Sequence, residues 1–481
     1  MSLKRKTASG TIWNFLTTFA ANTIDFAVFA ILARLLSIED FGLLALCLLV
    51  IELANIFTNV GVNQNLIQRR KWDNTFASST FVFIGLLSLF ISLLVGLVAA
   101  PLGLYLHSET AFFILLTLSI VPFLIGLQSV FAAKLEREFR NKRVTVIRAT
   151  SSILSGLLAI VLAFSGFGIW SLVIGRLLQS LMTLFGFFVF AHFRPTLTIK
   201  REHTSELCAF CLPLMWIAVL NYLNKKAANL YTGFILGTVD FALISVASKG
   251  REVLSQSTIS PINKMMVPVL SRVDEETRID AFYKVLGVTS IFVLPAFLGL
   301  GAIAPQFIEL AFGEKFLPSA SLLTITTSMI LANVLVWFLP NLLISIAQTK
   351  AALSLNLINV SSILIMGIAT VWFGVEVMLI SITIASYLTV PLKVNVAQRH
   401  INIKLSKMIK IIAPAAISSC VMFLCIKLNA SNLQLLSTSL PMELLLNILI
   451  GGITYTLILV IFFFNTAKKI VSEFKKILDK N

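Results

Sequence analysis

NYLNKKAANLYTGFILGTVDFALISVASKGRE, residues 221–252, decides the fold of this chain. The stretch predicts two consecutive membrane-spanning helices with cations near their middles, Lys225 and Lys226 in the first and Lys249 and Arg251 in the second. A Lys or Arg at the centre of a bilayer costs about 2.5–3.5 kcal/mol on insertion scales, so such residues lie beside water, a partner or a ligand. The stretch therefore indicates a polar cavity that receives an anionic substrate.

The rest of the chain has the composition of a polytopic membrane protein. Its 481 residues are 58% hydrophobic and 12% charged, whereas soluble domains are about 25% charged. The first apolar run, 11–36, is too long for a cleavable leader and is expected to stay as a span. Because a span needs about 20 mostly apolar residues, the sequence predicts fourteen, at 11–36, 41–62, 78–103, 111–133, 149–166, 168–191, 207–235, 239–263, 285–310, 318–345, 351–373, 375–396, 409–428 and 443–465.

The formal net charge of +16 comes from basic residues that gather at one set of span ends. Most of the 38 Lys and Arg residues lie there, including the run from Lys134 to Arg148, and we place Lys393 in the same set. Since Lys and Arg accumulate in cytoplasmic loops, both termini are predicted to be cytoplasmic. Membrane lipids, and not nucleic acid, are the expected surroundings of this charge.

An internal repeat relates the two halves of the chain. LLSIEDFGLLA (35–45) and ILGTVDFALIS (235–245) share Leu, Asp and Phe at an offset of 200 residues. Six predicted spans separate the copies, so both copies run in the same direction across the membrane. This predicts a parallel repeat with the substrate bound between two lobes.

Polar residues recur at helical spacing inside the first eight spans and predict the lining of a cavity. A structural ion pair is the alternative for each charged residue, and Arg251 could pair with the neighbouring Glu252. Spans nine to fourteen are expected to hold almost no charge at depth. The candidate cavity residues are Asn22, Asp25, Glu52, Arg176, Asn221, Lys225, Lys226, Asn229, Lys249 and Arg251.

The five cysteines lie in or beside apolar runs. Cys208 and Cys211 form a CxxC pair, but there is no second CxxC, and we expect small packing residues instead of a metal site. No cofactor or metal is expected.

Several strings resemble the Wzx-type polysaccharide flippases of the multidrug/oligosaccharidyl-lipid/polysaccharide exporter superfamily, in particular the branch that resembles colanic-acid exporters. They are ILARLLSIEDFGLLAL (31–46), GVNQNLIQRR (61–70), KLEREFRNKRV (134–144), SVASKGREVLSQSTISPINKMMVPVLSRVDEE (245–276) and LPAFLGLGAIAPQFIELAFGEKF (294–316). The resemblance implies six-helix lobes at 1–200 and 201–404 that form a V-shaped cavity. It also implies two accessory helices at 405–465, followed by a basic amphipathic tail at 466–481.

The resemblance further implies a substrate, an undecaprenyl-pyrophosphate-linked oligosaccharide that moves from the inner to the outer leaflet of a bacterial cytoplasmic membrane. Lys225, Lys249 and Arg176 would then face its pyrophosphate or acidic sugars. Asp25 is the candidate for ion coupling and Glu52 the second. A polymerase and other polysaccharide assembly proteins are candidate partners.

Two other classes of function stay open from the sequence. One is a small-molecule or drug exporter of the same fold, although the many cations favour an anionic substrate. The other is a membrane glycosyltransferase or polymerase, which normally needs large charged external loops. The longest external connection, 429–442, has no charged residue, so we do not expect an enzyme; a scaffold of an assembly complex is a further alternative.

Overall fold

The computed structural model describes residues 23–69, 72–105, 108–271, 273–435 and 439–463. These residues form helices and connections with no β-strand, which confirms the all-α prediction. Asn22 and the predicted tail at 466–481 lie outside these ranges. In chain order the helices are 23–35 (α1), Ile38–Asn59 (α2), Val62–Gln68 (α3), Asn74–Tyr105 (α4), Glu109–Leu118 (α5), Ile120–Arg137 (α6), Asn141–Phe164 (α7), Trp170–Ala191 (α8), Arg201–Tyr231 (α9), Thr238–Leu270 (α10), Glu275–Ala302 (α11), Ala304–Phe312 (α12), Ser319–Ser328 (α13), Ile330–Val336 (α14), Leu339–Ser345 (α15), Thr349–Thr370 (α16), Val375–Gln398 (α17), Leu405–Leu435 (α18) and Leu440–Phe462 (α19).

Within the described residues, twelve helical segments are long and apolar enough to cross a membrane, and each overlaps one predicted span. The other two predicted spans are 11–36 and 239–263. The first begins outside the described residues and continues as α1, and the second coincides with α10, whose middle carries Lys249, Arg251 and Glu252. The chain is a multi-pass membrane protein.

The chain divides into two compact units after Lys226. The division falls inside α9, so it does not coincide with the end of a helix. The lobes predicted at 1–200 and 201–404 stay a prediction.

In the first unit, α7 and α8 pack through small residues. A Cβ atom added to Gly175 would lie 2.9 Å from Ala159 Cβ, and one added to Gly186 would lie 2.6 Å from Ile147 Cγ2. Close approach at small residues is the usual way in which membrane helices associate, because lipid supplies no hydrophobic drive between them. These glycines therefore fix the α7–α8 pair that carries Arg176.

The two copies of the sequence repeat form the same helix start. In the first copy, Phe41 N–H donates to Ser37 O at 3.1 Å, and Phe41 is buried as α2 begins. In the second copy, Phe241 N–H donates to Gly237 O at 3.1 Å, and Phe241 is buried as α10 begins. Gly237 has φ 107°, a left-handed value that a side chain would oppose.

In the second unit, α11 contains a proline, and a side chain of α19 replaces the backbone hydrogen bond that this proline removes. Pro295 has no N–H, so the carbonyl oxygen of Ile291, four residues earlier, loses its helical partner. Tyr455 OH donates to that oxygen at 2.8 Å. The last helix thus satisfies a backbone group in the interior of α11.

Lys393 contradicts the expectation that it lies in a cytoplasmic loop. It is part of α17, is 4% exposed, and its Nζ donates to Asn359 Oδ1 of α16 at 2.6 Å. A buried charged side chain is therefore present near the end of α17, whereas the sequence placed this lysine among solvated residues. The error arose because a lysine close to a span end was counted as outside the span.

Candidate functional site

Arg176 on α8 is the centre of the charged groups in the first unit. Its Nη1 donates to Gln179 Oε1, one turn later, at 2.9 Å. Its Nε is buried and has no hydrogen-bond partner among the described residues. The carboxylates of Asp25 and Glu52 both interact electrostatically with this guanidinium. Three predicted site residues from α1, α2 and α8 are thus brought into one electrostatic group.

Glu52 on α2 connects this group to α9. Lys226 Nζ lies 3.4 Å from Glu52 Oε2, and the two side chains are 27% and 45% exposed. The sequence did not show whether Lys226 lies on the same helical face as Lys225. In the structure the side chain of Lys226 points to the Glu52 carboxylate. Asn55, one turn after Glu52, keeps a buried Oδ1 without a partner in the described part of the chain. A half-exposed ion pair of this kind can exchange partners with an incoming charged group at small energetic cost.

Asp25 on α1 is held by a residue that the sequence did not single out. Ser152 Oγ, buried on α7, donates a hydrogen bond to Asp25 Oδ1. The Asp25 residue itself is exposed. The Asp25 carboxylate is thus solvent-accessible, accepts a hydrogen bond from α7 and is close to the Arg176 guanidinium.

Tyr222 on α9 is a second residue that sequence analysis missed. Its hydroxyl donates to Leu49 O on α2 at 2.8 Å, and the side chain is buried. Glu52 interacts electrostatically with this tyrosine. Tyr222 therefore fixes α9 against α2 next to the Glu52–Lys226 pair. In the sequence, its position beside Asn221 was the one signal for this role.

Lys225 and Asn221 lie on the exposed side of α9. In the described residues no carboxylate forms an ion pair with Lys225. A lysine with this environment can contact an anionic molecule without first breaking an ion pair.

The remaining predicted site residues belong to the second unit. Asn229 is buried at 7% exposure, at the end of α9. Lys249 and Arg251 are half-buried on α10, and Glu252 is exposed beside them. Glu252 interacts electrostatically with Arg251 and accepts a hydrogen bond from Gln256 Nε2 at 3.1 Å. Among the described residues these two side chains form no direct ion pair, so their pairing stays an alternative.

A family model described as "Polysaccharide biosynthesis protein" matches residues 31–321. The lipopolysaccharide biosynthesis protein WzxC of Escherichia coli (strain K12) is 27% identical over 325 residues, which are 66% of this chain and 65% of that protein. The succinoglycan biosynthesis transport protein ExoT of Rhizobium meliloti (strain 1021) is 24% identical over 307 residues, 63% of this chain and 62% of that protein. The matched stretches span less than two thirds of the length of either relative.

Solved structures with the same fold include the lipid II flippase MurJ in an inward closed conformation. It superposes with a TM-score of 0.76 at 16% identity, over 94% of this chain and 98% of that one. A multidrug resistance transporter of the MATE family in the MOP superfamily, in an inward-facing conformation, gives 0.60 at 15% identity, over 82% and 96%. At these identities the likeness establishes the fold, and it confirms the predicted all-α polytopic membrane fold.

Proposed function

The chain belongs to the family of polysaccharide biosynthesis proteins, and from this membership we propose that it is a flippase. Its substrate would be an oligosaccharide repeat unit linked through pyrophosphate to undecaprenol, moved from the inner to the outer leaflet of a bacterial cytoplasmic membrane. The product would enter the synthesis of an exopolysaccharide, capsule or O-antigen. It would act as a transporter, without catalysing a covalent step.

The observation that carries this proposal is the family match over 31–321. Two relatives carry names in lipopolysaccharide and succinoglycan biosynthesis, and the second is named a transport protein. A structural neighbour that flips lipid II has the same fold over most of both chains. Polysaccharide synthesis, transport and lipid flipping together point to a lipid-linked sugar as cargo.

The charged residues of the first unit support an anionic cargo. Arg176 has a buried Nε–H without a partner in the described residues, and Lys225 is exposed. Charge-assisted hydrogen bonds from such groups to phosphate oxygens are about twice as strong as neutral ones. We assign Arg176, Lys225 and Lys249 to binding of the pyrophosphate or acidic sugars, with Lys226 and Arg251 as further cations.

We assign energy coupling to the carboxylates Asp25 and Glu52. The chain has no GxxxxGK[ST] motif for binding a nucleotide, so an ion gradient is the intrinsic energy source that fits the sequence. Asp25 receives a hydrogen bond from Ser152 and interacts with Arg176. Protonation or sodium binding at Asp25 would free Arg176 from one of its two carboxylates.

The proposed setting follows from the charge distribution. Both termini would be cytoplasmic, with lobes at 1–200 and 201–404 and accessory helices at 405–465. A polymerase and other assembly proteins that use the flipped product are the proposed partners.

The test is reconstitution of the purified full chain in liposomes that contain a lipid-linked oligosaccharide in the outer leaflet. We expect protein-dependent loss of accessibility to a membrane-impermeant oxidant of sugars, and deletion of the gene in cells should cause the lipid-linked sugar to accumulate on the inner leaflet. Protein-free liposomes are the control. Unchanged accessibility, with correctly folded protein in the vesicles, would refute the proposal.

A drug exporter is the second candidate, since a neighbouring structure is a multidrug transporter of the same fold. It predicts uptake of cationic dyes by the same vesicles. Transport of dye without movement of the lipid-linked sugar would favour this candidate over the flippase.

A further inference from the structure

The last helix that the structure describes, α19, buries two polar residues of its first half, Glu443 and Asn447. Its buried residues are Glu443, Asn447, Gly451 and Leu459, in a helix that otherwise exposes apolar side chains. Glu443, Asn447 and Gly451 follow one another at intervals of four, so they lie on one face. Burying a carboxylate and an amide costs more free energy than burying apolar side chains. Their position on the buried face of α19 therefore indicates a specific role.

Glu443 meets α12 through Gln306. Gln306 Nε2 donates to Glu443 Oε1 at 2.7 Å. Gln306 is 7% exposed and Glu443 is 8% exposed. No Lys, Arg or His forms an ion pair with Glu443 in the part of the chain that the structure describes. Among the described side chains, therefore, no cation directly contacts this buried carboxyl group.

Two amide side chains beside Glu443 have unused oxygen atoms. Gln306 Oε1 is buried and has no hydrogen-bond partner among the described residues. Asn447 is fully buried, at 0% exposure, and neither its Oδ1 nor its Nδ2 has a partner there. Each buried polar group without a partner costs about 1–3 kcal/mol. Asn447 follows Glu443 by one turn, so its amide and the carboxylate are close neighbours on α19.

The candidate ligands are thus three side-chain oxygens, namely Gln306 Oε1, Asn447 Oδ1 and the Glu443 oxygen that Gln306 does not contact. Carboxylate and carbonyl oxygens are the ligands that hard cations prefer. A divalent ion is disfavoured, because the site has a single carboxylate and the described residues contain no group of three or more His, Cys, Asp or Glu suited to a metal. One positive charge balances Glu443 and gives Gln306 Oε1 and Asn447 Oδ1 an electrostatic partner.

We propose that Gln306, Glu443 and Asn447 bind a monovalent cation of the sodium class between α12 and α19. The ion connects α19 to α12 within the second unit and supplies a positive charge beside Glu443. The site is distinct from the carboxylates assigned to energy coupling, because Asp25 and Glu52 belong to the first unit.

The test measures thermal unfolding of the purified full chain in detergent, with NaCl against N-methyl-D-glucamine chloride at equal ionic strength. The Asp25→Asn background removes any contribution of sodium binding at Asp25. We expect sodium to raise the unfolding midpoint by about 2 °C or more. The rise should disappear in Glu443→Gln, which removes the negative charge with little change of shape. It should shrink in Asn447→Leu, which removes one neutral oxygen ligand.

Glu376→Gln is the matched control. Glu376 is also a first-turn glutamate, at the start of α17, but it is exposed, so this variant should keep the full sodium response. If Glu443→Gln does not fold, binding of ²²Na⁺ is measured instead for two proteins, Asp25→Asn and the double variant Asp25→Asn/Asn447→Leu. We expect the first protein to bind ²²Na⁺ and the double variant to lose binding. A parent protein without a sodium response overturns the proposal. An equal response in Glu443→Gln also overturns it.

Discussion

Lys226 Nζ lies 3.4 Å from Glu52 Oε2, and this ion pair joins α9 to α2 in the first unit. Glu52 also interacts electrostatically with Arg176 on α8. One carboxylate therefore balances two cations on two different helices. The pair is half-exposed, so its contribution to folding is small, about 0–1 kcal/mol. Its importance for transport is expected to exceed its importance for stability.

Glu52→Gln should reduce export more than Lys226→Gln, because the first change removes the counter-charge of two cations and the second removes one cation. Both variants should reach wild-type membrane levels. Export is measured as surface polysaccharide in a strain that lacks the native gene. Equal export defects in the two variants would show that Glu52 acts only through Lys226.

Lys225→Ala should abolish or strongly reduce export at normal expression, because an exposed lysine contributes little to folding but binds phosphate through charge-assisted hydrogen bonds. Lys225→Arg should retain part of the activity. Lys350→Ala, an exposed lysine in the first turn of α16, is the control and should export normally. Normal export by Lys225→Ala would remove Lys225 from the substrate site.

Asp25→Asn should make transport insensitive to an imposed proton or sodium gradient, since the amide cannot be protonated or carry a balancing charge. Transport is followed in proteoliposomes with and without each gradient. Asp280→Asn, an exposed aspartate on α11, should respond as the wild type does. The coupling assignment fails if the wild type ignores both gradients or if Asp25→Asn still responds.

Tyr455→Phe should lower the free energy of unfolding by about 1–3 kcal/mol, because it leaves the Ile291 carbonyl without its donor. The same change should cost less in a Pro295→Ala background, where residue 295 regains an N–H for that carbonyl. The double-mutant cycle is measured by denaturant or thermal unfolding in detergent. Equal costs in the two backgrounds would show that Tyr455 stabilises the protein through packing alone.

Reporter fusions after Ser108 and Gly166 should report the external side, and fusions after Arg143 and Lys407 the cytoplasm. The expectation rests on the concentration of Lys and Arg at one set of span ends. An external signal after Arg143 would falsify the predicted orientation.

Most of the helical architecture could be predicted because hydrophobic length alone determines which segments cross a membrane. The repeat also indicated that the chain has the same local structure at Phe41 and Phe241, because equivalent residues stand at equivalent positions of the two copies. The bounds were harder to predict: α10 runs through Pro261 to Leu270, while the sequence placed the end of that span at 263. A proline lowers helix propensity, yet the helix continues for nine residues beyond Pro261.

The partners of the site residues could not be predicted, because they depend on contacts between distant segments. Ser152 is 127 residues from Asp25, and a serine in a small-residue helix gives no signal of its role. Lys393 and Glu443 were missed for a related reason. Both lie near the end of a span, where a charge is normally solvated, and only the packing of a neighbouring helix determines that they are buried.

The hydrogen bond from Tyr455 to Ile291 has a consequence for the order of events during synthesis. The two residues are separated by 164 positions, so α11 leaves the ribosome and enters the bilayer long before its partner is made. Until α19 is made, the Ile291 carbonyl lacks the hydroxyl group that Tyr455 supplies. Biogenesis of the second unit therefore ends with a late docking step, and a chain that stops after α17 should be recognised by membrane quality control as incomplete.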